Sequence, residues 1–174
     1  MIIKTLISRM RRIKMNLEPV QLEIPDDSNI IIGHAHFIKT VDDIFDALAG
    51  SVPNIKFGIA FNEASQECLI RHDGNDPSLE EVAIRNAMAI GAGHTFVILI
   101  KDAFPINVIV SLKNVQEICS IYCATANPVQ VITTSTDQGK AVLGVVDGMS
   151  PLGIEEPKHR DIRHKFLKDI GYKP

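Results

Sequence analysis

The stretch from Cys68 to Ser78, CLIRHDGNDPS, sets an arginine, a histidine, two aspartates and an asparagine behind a short apolar run. Neutral imidazole is a nucleophile at physiological pH, and Asp73 or Asp76 is placed to hold the second nitrogen of His72 and fix its tautomer. The loop after His72 feeds a helix N-terminus near Ser78, where free N–H groups and the macrodipole favour an anion such as phosphate. Arg71 can add charge-assisted hydrogen bonds, although strand alternation argues for the face opposite His72, and Asn75 and Asp76 can orient the group. A phosphohistidine meets these requirements. The bland alternative is that Asp73 to Asp76 make a turn and a helix cap, as such residues routinely do.

His94 follows a different logic. It comes just past a helix C-terminus, where partial negative charge favours imidazolium over a bound phosphate, so it suits a general acid or a substrate contact. The alternative is a strand-end histidine satisfied by backbone carbonyls. His34 and His36 alternate on a strand and face the same way, as a metal pair would, but no H-E-x-x-H or CxxC accompanies them, and no metal is expected. Cys123 to Pro128 ends a strand in small side chains, which lets a flat ligand approach while Thr125 and Asn127 offer hydrogen bonds. The Asp147-Gly148 loop is expected at the same sheet end as Asn127, with turn chemistry as the simpler explanation of Gly148.

Familiar kinase motifs are missing. Gly139-Lys140 lacks the earlier glycine and the hydroxyl residue of a phosphate-binding loop, and His159-Arg160-Asp161 lacks the downstream Asn and the Asp-Phe-Gly of protein kinases. Phosphoryl transfer here would need another cradle.

The elements that must position these residues follow from period and punctuation. Strands are expected at about 18–24, 30–38, 56–61, 67–71, 95–100, 118–125, 129–135 and 140–146. Helices are expected from a Thr40 cap to Gly50, from a Ser78-Leu79-Glu80-Glu81 capping box to Gly91, after Pro105, and over about 159–170. Helix 78–92 reads as a crossover that sets strand 95–100 parallel to strand 67–71. Arg71, His72, Asn75 and Asp76 then share one sheet end with Lys101 and Asp102, while His94 and Asn62-Glu63 lie at the other. A single site using both ends would need two subunits or a different topology. The fold class expected is a single-domain α/β sandwich with a mixed sheet that holds antiparallel hairpins and one crossover.

Composition sets the outer limits. The chain has 174 residues, 45% hydrophobic, with a formal net charge of −3 and few aromatics, which argues against disorder, an electrostatic grip on nucleic acid and a base-stacking surface. Its apolar runs fall short of the roughly 18 residues of a membrane span, and no signal-peptide pattern is seen. Cys68, Cys119 and Cys123 lie in apolar segments and read as reduced core residues, so a cytoplasmic protein is expected. Residues 1–15 carry five basic groups and no acidic one, and read as an extension ahead of a domain at 16–174.

Eight segments, HFIKTVDDIFDAL, FGIAFNEAS, CLIRHDGNDP, AIGAGHTFVILI, FPINV, CATANPVQVI, GVVDGMSPLG and FLKDIGYK, resemble in order the motifs of the adenosine-specific kinase family, formerly a domain of unknown function found mainly in archaea and thermophilic bacteria. The resemblance spans about residues 17–173. It implies a compact α/β sandwich, homo-oligomers built on trimers, binding of adenosine or AMP, and a histidine linked to phosphoryl transfer with ATP or AMP as ligand or phosphate source. His36, His72 and His94 fall on its motif positions, and the family carries a glutamine-like residue where His34 stands. The resulting expectation is an adenosine or AMP binding phosphotransferase with His72 first and His94 second as the reactive histidine. Arg71, Asn75, Asp76 and Ser78 would serve the phosphate, and His36, Glu63, Thr125, Asn127, Asp147 and Gly148 the substrate. The rivals are a non-catalytic nucleotide sensor and a metal-dependent hydrolase.

Overall fold

The computed structural model describes residues 16–173. The basic extension at 1–15 lies outside the described residues. In chain order the elements are β1 (Leu17–Gln21), β2 (Ser28–Ala35), α1 (Thr40–Ala49), β3 (Lys56–Asn62), β4 (Ile70–Gly74), α2 (Pro77–Ile90), β5 (Thr95–Lys101), α3 (Pro105–Lys113), β6 (Ile118–Thr125), β7 (Val129–Ser135), β8 (Lys140–Asp147) and α4 (Pro157–Asp169). A five-stranded sheet runs β4-β3-β5-β2-β6, and a three-stranded sheet runs β1-β7-β8.

The α/β single-domain sandwich stands, with a refinement of the sheet. β4 and β5 are parallel in direction, as the crossover requires, but β3 lies between them and is antiparallel to both, so every strand pair in the large sheet is antiparallel. The connection β4-α2-β5 therefore spans one strand.

Layering explains the apolar runs. On one face of the large sheet Ile31, Phe57, Ile59, Phe61, Phe96 and Ile98 meet Val41, Ile44 and Leu48 of α1 and Val108 and Leu112 of α3. On the other, Ile30, Ile32, Ala60, Val97 and Leu99 meet α2 and the small sheet. Strands β2, β3 and β5 are thus covered on both faces, which removes the polar half of the usual alternation. Each Ile, Leu or Phe so buried contributes about 1.5–3 kcal/mol.

Helix α2 supplies Leu79, Val82, Ala83, Ala87 and Ile90 at the three- and four-residue spacing of a helix that buries one stripe. It lies very close to β3: a Cβ on Gly58 would come within 2.1 Å of the Glu80 nitrogen. Its N-cap is Asp76 with Pro77 in the first turn, not Ser78 of the expected capping box. Pro77 fits there because the first helical residue has no intrahelical use for its N–H.

Candidate functional site

His72 is not at the exit of its strand. β4 starts three residues later than its apolar run suggests, because Gln66 and Cys68 adopt left-handed backbone and extend the preceding loop. His72 pairs with Ala60 in the interior of β4 and presents its ring on the α2 side. There its Nδ1 lies 2.6 Å from Glu80 Oε1, and half of its side chain remains exposed. A carboxylate can only accept, so this contact places a proton on Nδ1, and in the neutral ring Nε2 then carries the free lone pair. Gly58 is the backbone reason: without a Cβ it lets the first turn of α2, and with it Glu80, settle against the sheet. Asp73, expected to hold the ring, instead accepts from the Gly74 amide.

The ring borders a groove of about 990 Å³ between β4, α2 and the β7–β8 hairpin, lined among others by Glu63, Ile84, Met88, Gln138 and Lys140. Lys140 is carried there by a single bridge between Ala92 and Lys140. Its ammonium is 3.6 Å from Glu18, whose side chain is half exposed, so the pair is loose. Glu63 is the opposite case. Its side chain is 5% exposed, its Oε1 accepts from the Ala64 amide and the Ser65 hydroxyl, and its Oε2 is buried without a partner among the described residues. An unmatched buried carboxylate oxygen costs free energy that a donor on a ligand would recover.

His94 adjoins the same end of the sheet. Its φ of 62° follows from its place between two strands, where its N–H donates to the Asn62 carbonyl at 2.7 Å and its own carbonyl accepts from Ala35 at 3.0 Å. Its ring stacks on Phe61 and meets the edge of His34, and its Nε2 is 3.9 Å from Glu63 Oε1. Burial holds His34 below the usual histidine range, and neighbouring His94 and His36 push the same way. His36 is exposed just beyond β2. Among the described residues no group of three His, Cys, Asp or Glu side chains converges to hold a metal.

The residues assigned to the phosphate occupy a different place. The Asp76 carboxylate accepts from the Ser78 and Leu79 amides and from the Ser78 hydroxyl, and that hydroxyl leads the contacts that hold its pKa below the usual carboxylate value. The amides of the helix N-terminus thus already face an anion supplied by the chain. Asn75 is consumed as well, since its side chain accepts from the Phe57 amide and donates to the Ile55 carbonyl. Arg71 pairs with Phe61 on the face away from His72, and its Nε is buried without a partner.

Thr125, Asn127, Asp147 and Gly148 do come together. The Thr125 hydroxyl accepts from the Asn127 amide, Asn127 Nδ2 donates to Asp147 Oδ1 at 3.0 Å, and Gly148 at φ 67° packs against Asn127. They lie beyond β6, one edge of the large sheet, whereas His72 is on β4, the other edge. Four strand spacings, about 19 Å, separate the edges, so within one chain the two groups form separate sites.

The cysteines divide. Cys68 and Cys119 are exposed, contrary to their expected place in the core, while Cys123 is buried and its thiol is pushed up to about 11 by burial. Two residues escaped the reading of the sequence. Glu80 was seen only as part of a cap, and Lys140 only as half of a failed phosphate-loop motif; in each case the signal needed was tertiary.

No helix among the described residues is long and apolar enough to cross a membrane. None of the curated proteins matches the chain. The crystal structure of the PH1918 protein from Pyrococcus horikoshii OT3 is similar, with 48% sequence identity and a TM-score of 0.88, over 92% of this chain and 99% of that one. A family model described as adenosine specific kinase matches residues 20–173, which take in the groove, both flanking histidines and every element from β2 onward. The chain belongs to the adenosine-specific kinase family.

Proposed function

We propose that the protein binds adenosine or AMP and transfers a phosphoryl group through His72, with ATP or AMP as the source. The observation that carries this reading is the Nδ1 contact to Glu80 beside an open groove. It supports a nucleophilic Nε2 in the way a paired carboxylate activates other catalytic histidines. Attack by Nε2 on the terminal phosphorus forms a P–N bond as the P–O bond to the nucleotide breaks, and the electron pair leaves on the nucleotide oxygen. The ring, still protonated on Nδ1, gains positive charge that the Glu80 carboxylate stabilises. Lys140 is the cation on the groove wall and meets the phosphate oxygens. Glu63 Oε2 accepts from a hydroxyl or amino group of the nucleoside. His94, adjoining Glu63, contacts the substrate or serves as general acid.

Arg71, Asn75, Asp76 and Ser78 act in this reading by shaping β4 and the start of α2. Thr125, Asn127, Asp147, Gly148 and His36 take part where a second subunit brings its own edge to the groove.

The test is intact mass after incubation with ATP or AMP, scored for an acid-labile, alkali-stable phosphate. Wild type gains about 80 Da per phosphate, His94→Ala keeps the gain and His72→Ala loses it. A modification that vanishes only in His94→Ala reassigns the carrier. Absence of any adduct, with adenosine still bound in calorimetry, identifies a nucleotide sensor and ends the transfer proposal.

A further inference from the structure

Charge is divided very unevenly along the chain. Residues 16–156 hold seven basic and nineteen acidic side chains, a net of −12, whereas residues 157–173 hold six basic and two acidic, a net of +4. The basic portion is α4 and the short tail behind it. This helix has no buried residue, although Ile162, Phe166 and Ile170 recur at a four-residue spacing, with Ile162 67% and Phe166 59% exposed. Thirteen residues are near the lower limit at which a helix is stable alone in water, and an amphipathic helix gains most of its stability by packing its apolar stripe. The segment leading into it is equally bare at Met149, Leu152 and Ile154.

A matching surface exists elsewhere on the chain. The groove of about 840 Å³ at the start of β2 is lined by Asp26, Asp27 and Asp102 over an apolar floor that includes Ile24, Val52 and Phe104, and among the described residues no basic one lines it. The chain's own arm reaches only the rim: Asn107 donates to the Tyr172 hydroxyl at 3.2 Å, while the stripe of α4 stays in solvent.

We infer that α4 of one subunit docks, apolar stripe inward, in this acidic groove of a second copy of the chain. The complement is twofold: Ile162 and Phe166 against the apolar floor, and Lys158 and Lys165, which flank that stripe on the helix, against the carboxylates of the rim. A helix-to-groove contact is heterologous, and repeated about an axis it closes a ring.

The molar mass of the full chain by light scattering at ~0.1 M salt tests this, with thermal unfolding to confirm that each variant is folded. Wild type is a multimer, and raising salt to ~1 M, which shortens the screening length to about 3 Å, weakens it. Phe166→Asp, at an exposed position in the single chain, reduces the mass to that of the monomer. Asp26→Lys weakens association at least ~10-fold, or about 1.4 kcal/mol, and adding Lys158→Glu with Lys165→Glu restores it. A monomeric wild type, or an unchanged multimer in Phe166→Asp, overturns the proposal. An unchanged multimer in Asp26→Lys does the same by showing that the helix docks elsewhere. Dissociation on deleting residues 2–15, with Phe166→Asp still assembled, would make the N-terminal basic segment the occupant instead.

Discussion

The turn at Asn75 to Ser78 and the His72 that borders the groove belong to one short stretch of chain, yet turn and groove use polar groups in opposite ways. In the turn every candidate phosphate contact is already spoken for: Asp76 fills the helix N-terminus and Asn75 ties the loop to β3. In the groove the imidazole has one nitrogen held and the other free, and Glu63 keeps a buried oxygen without a donor. In the proposed reading the site is therefore marked by unspent hydrogen-bonding capacity beside open space, and not by density of ionisable residues.

The sharpest break of this contrast is His72→Ala, which should abolish the acid-labile adduct, a loss of about 100-fold or more, since a covalent carrier has no substitute. Residual labelling near the wild-type level would remove the groove from the chemistry. Next is Gly58→Ala. Its methyl group would meet the backbone of α2 at Leu79 and Glu80, which cannot swing aside, so a loss of about 3 kcal/mol in denaturant unfolding is expected, together with loss of the Glu80 contact. A stable Gly58→Ala protein with full labelling would show that the close approach of α2 does not position the site.

Glu80→Gln keeps the shape and removes the charge opposite the ring. About a tenfold slower labelling is expected, the consequence of losing roughly 1.5 kcal/mol of charge-assisted hydrogen bonding, with adenosine affinity unchanged. The smallest effect belongs to the turn. Asp76→Ala should cost about 1 kcal/mol as a lost helix cap and leave labelling intact. Because the folded pKa of Asp76 is lowered, its stabilisation is fully present above the unfolded value near 3.9 and is lost as pH falls through the folded value. Asp76→Ala should accordingly flatten the acid limb of the stability curve. Labelling abolished in this variant would restore the turn as an anion cradle.

His34, whose ring meets that of His94, supplies one further check. Its lowered folded pKa means that the unfolded chain binds the proton first, so its contribution to stability is present above the unfolded value near 6.5 and declines as pH falls through the lower folded one. His34→Gln should remove that slope, as read from unfolding midpoints between about pH 7 and 5.

Much of the fold is legible in the sequence alone. Residues 118–125 and 129–135 were read as strands with their observed limits, and the crossover helix ends at the left-handed Gly91 that its glycines announced. These are local signals of period, punctuation and backbone freedom. The start of β4 was not legible, since Gln66 and Cys68 enter left-handed backbone without a glycine to advertise it. That three-residue difference is what moves His72 from a loop into a strand interior.

The sequence by itself determined the element types, the crossover helix with its glycine stop and the candidacy of His72, because propensity, spacing and side-chain chemistry act within a few residues of one another. Only the tertiary structure decided which carboxylate holds the imidazole, that Lys140 and Glu63 share its groove, and that Thr125 and Asn127 lie at the far edge. Those facts depend on strand order and on how closely α2 approaches Gly58, and both are fixed by contacts between segments that no local pattern encodes.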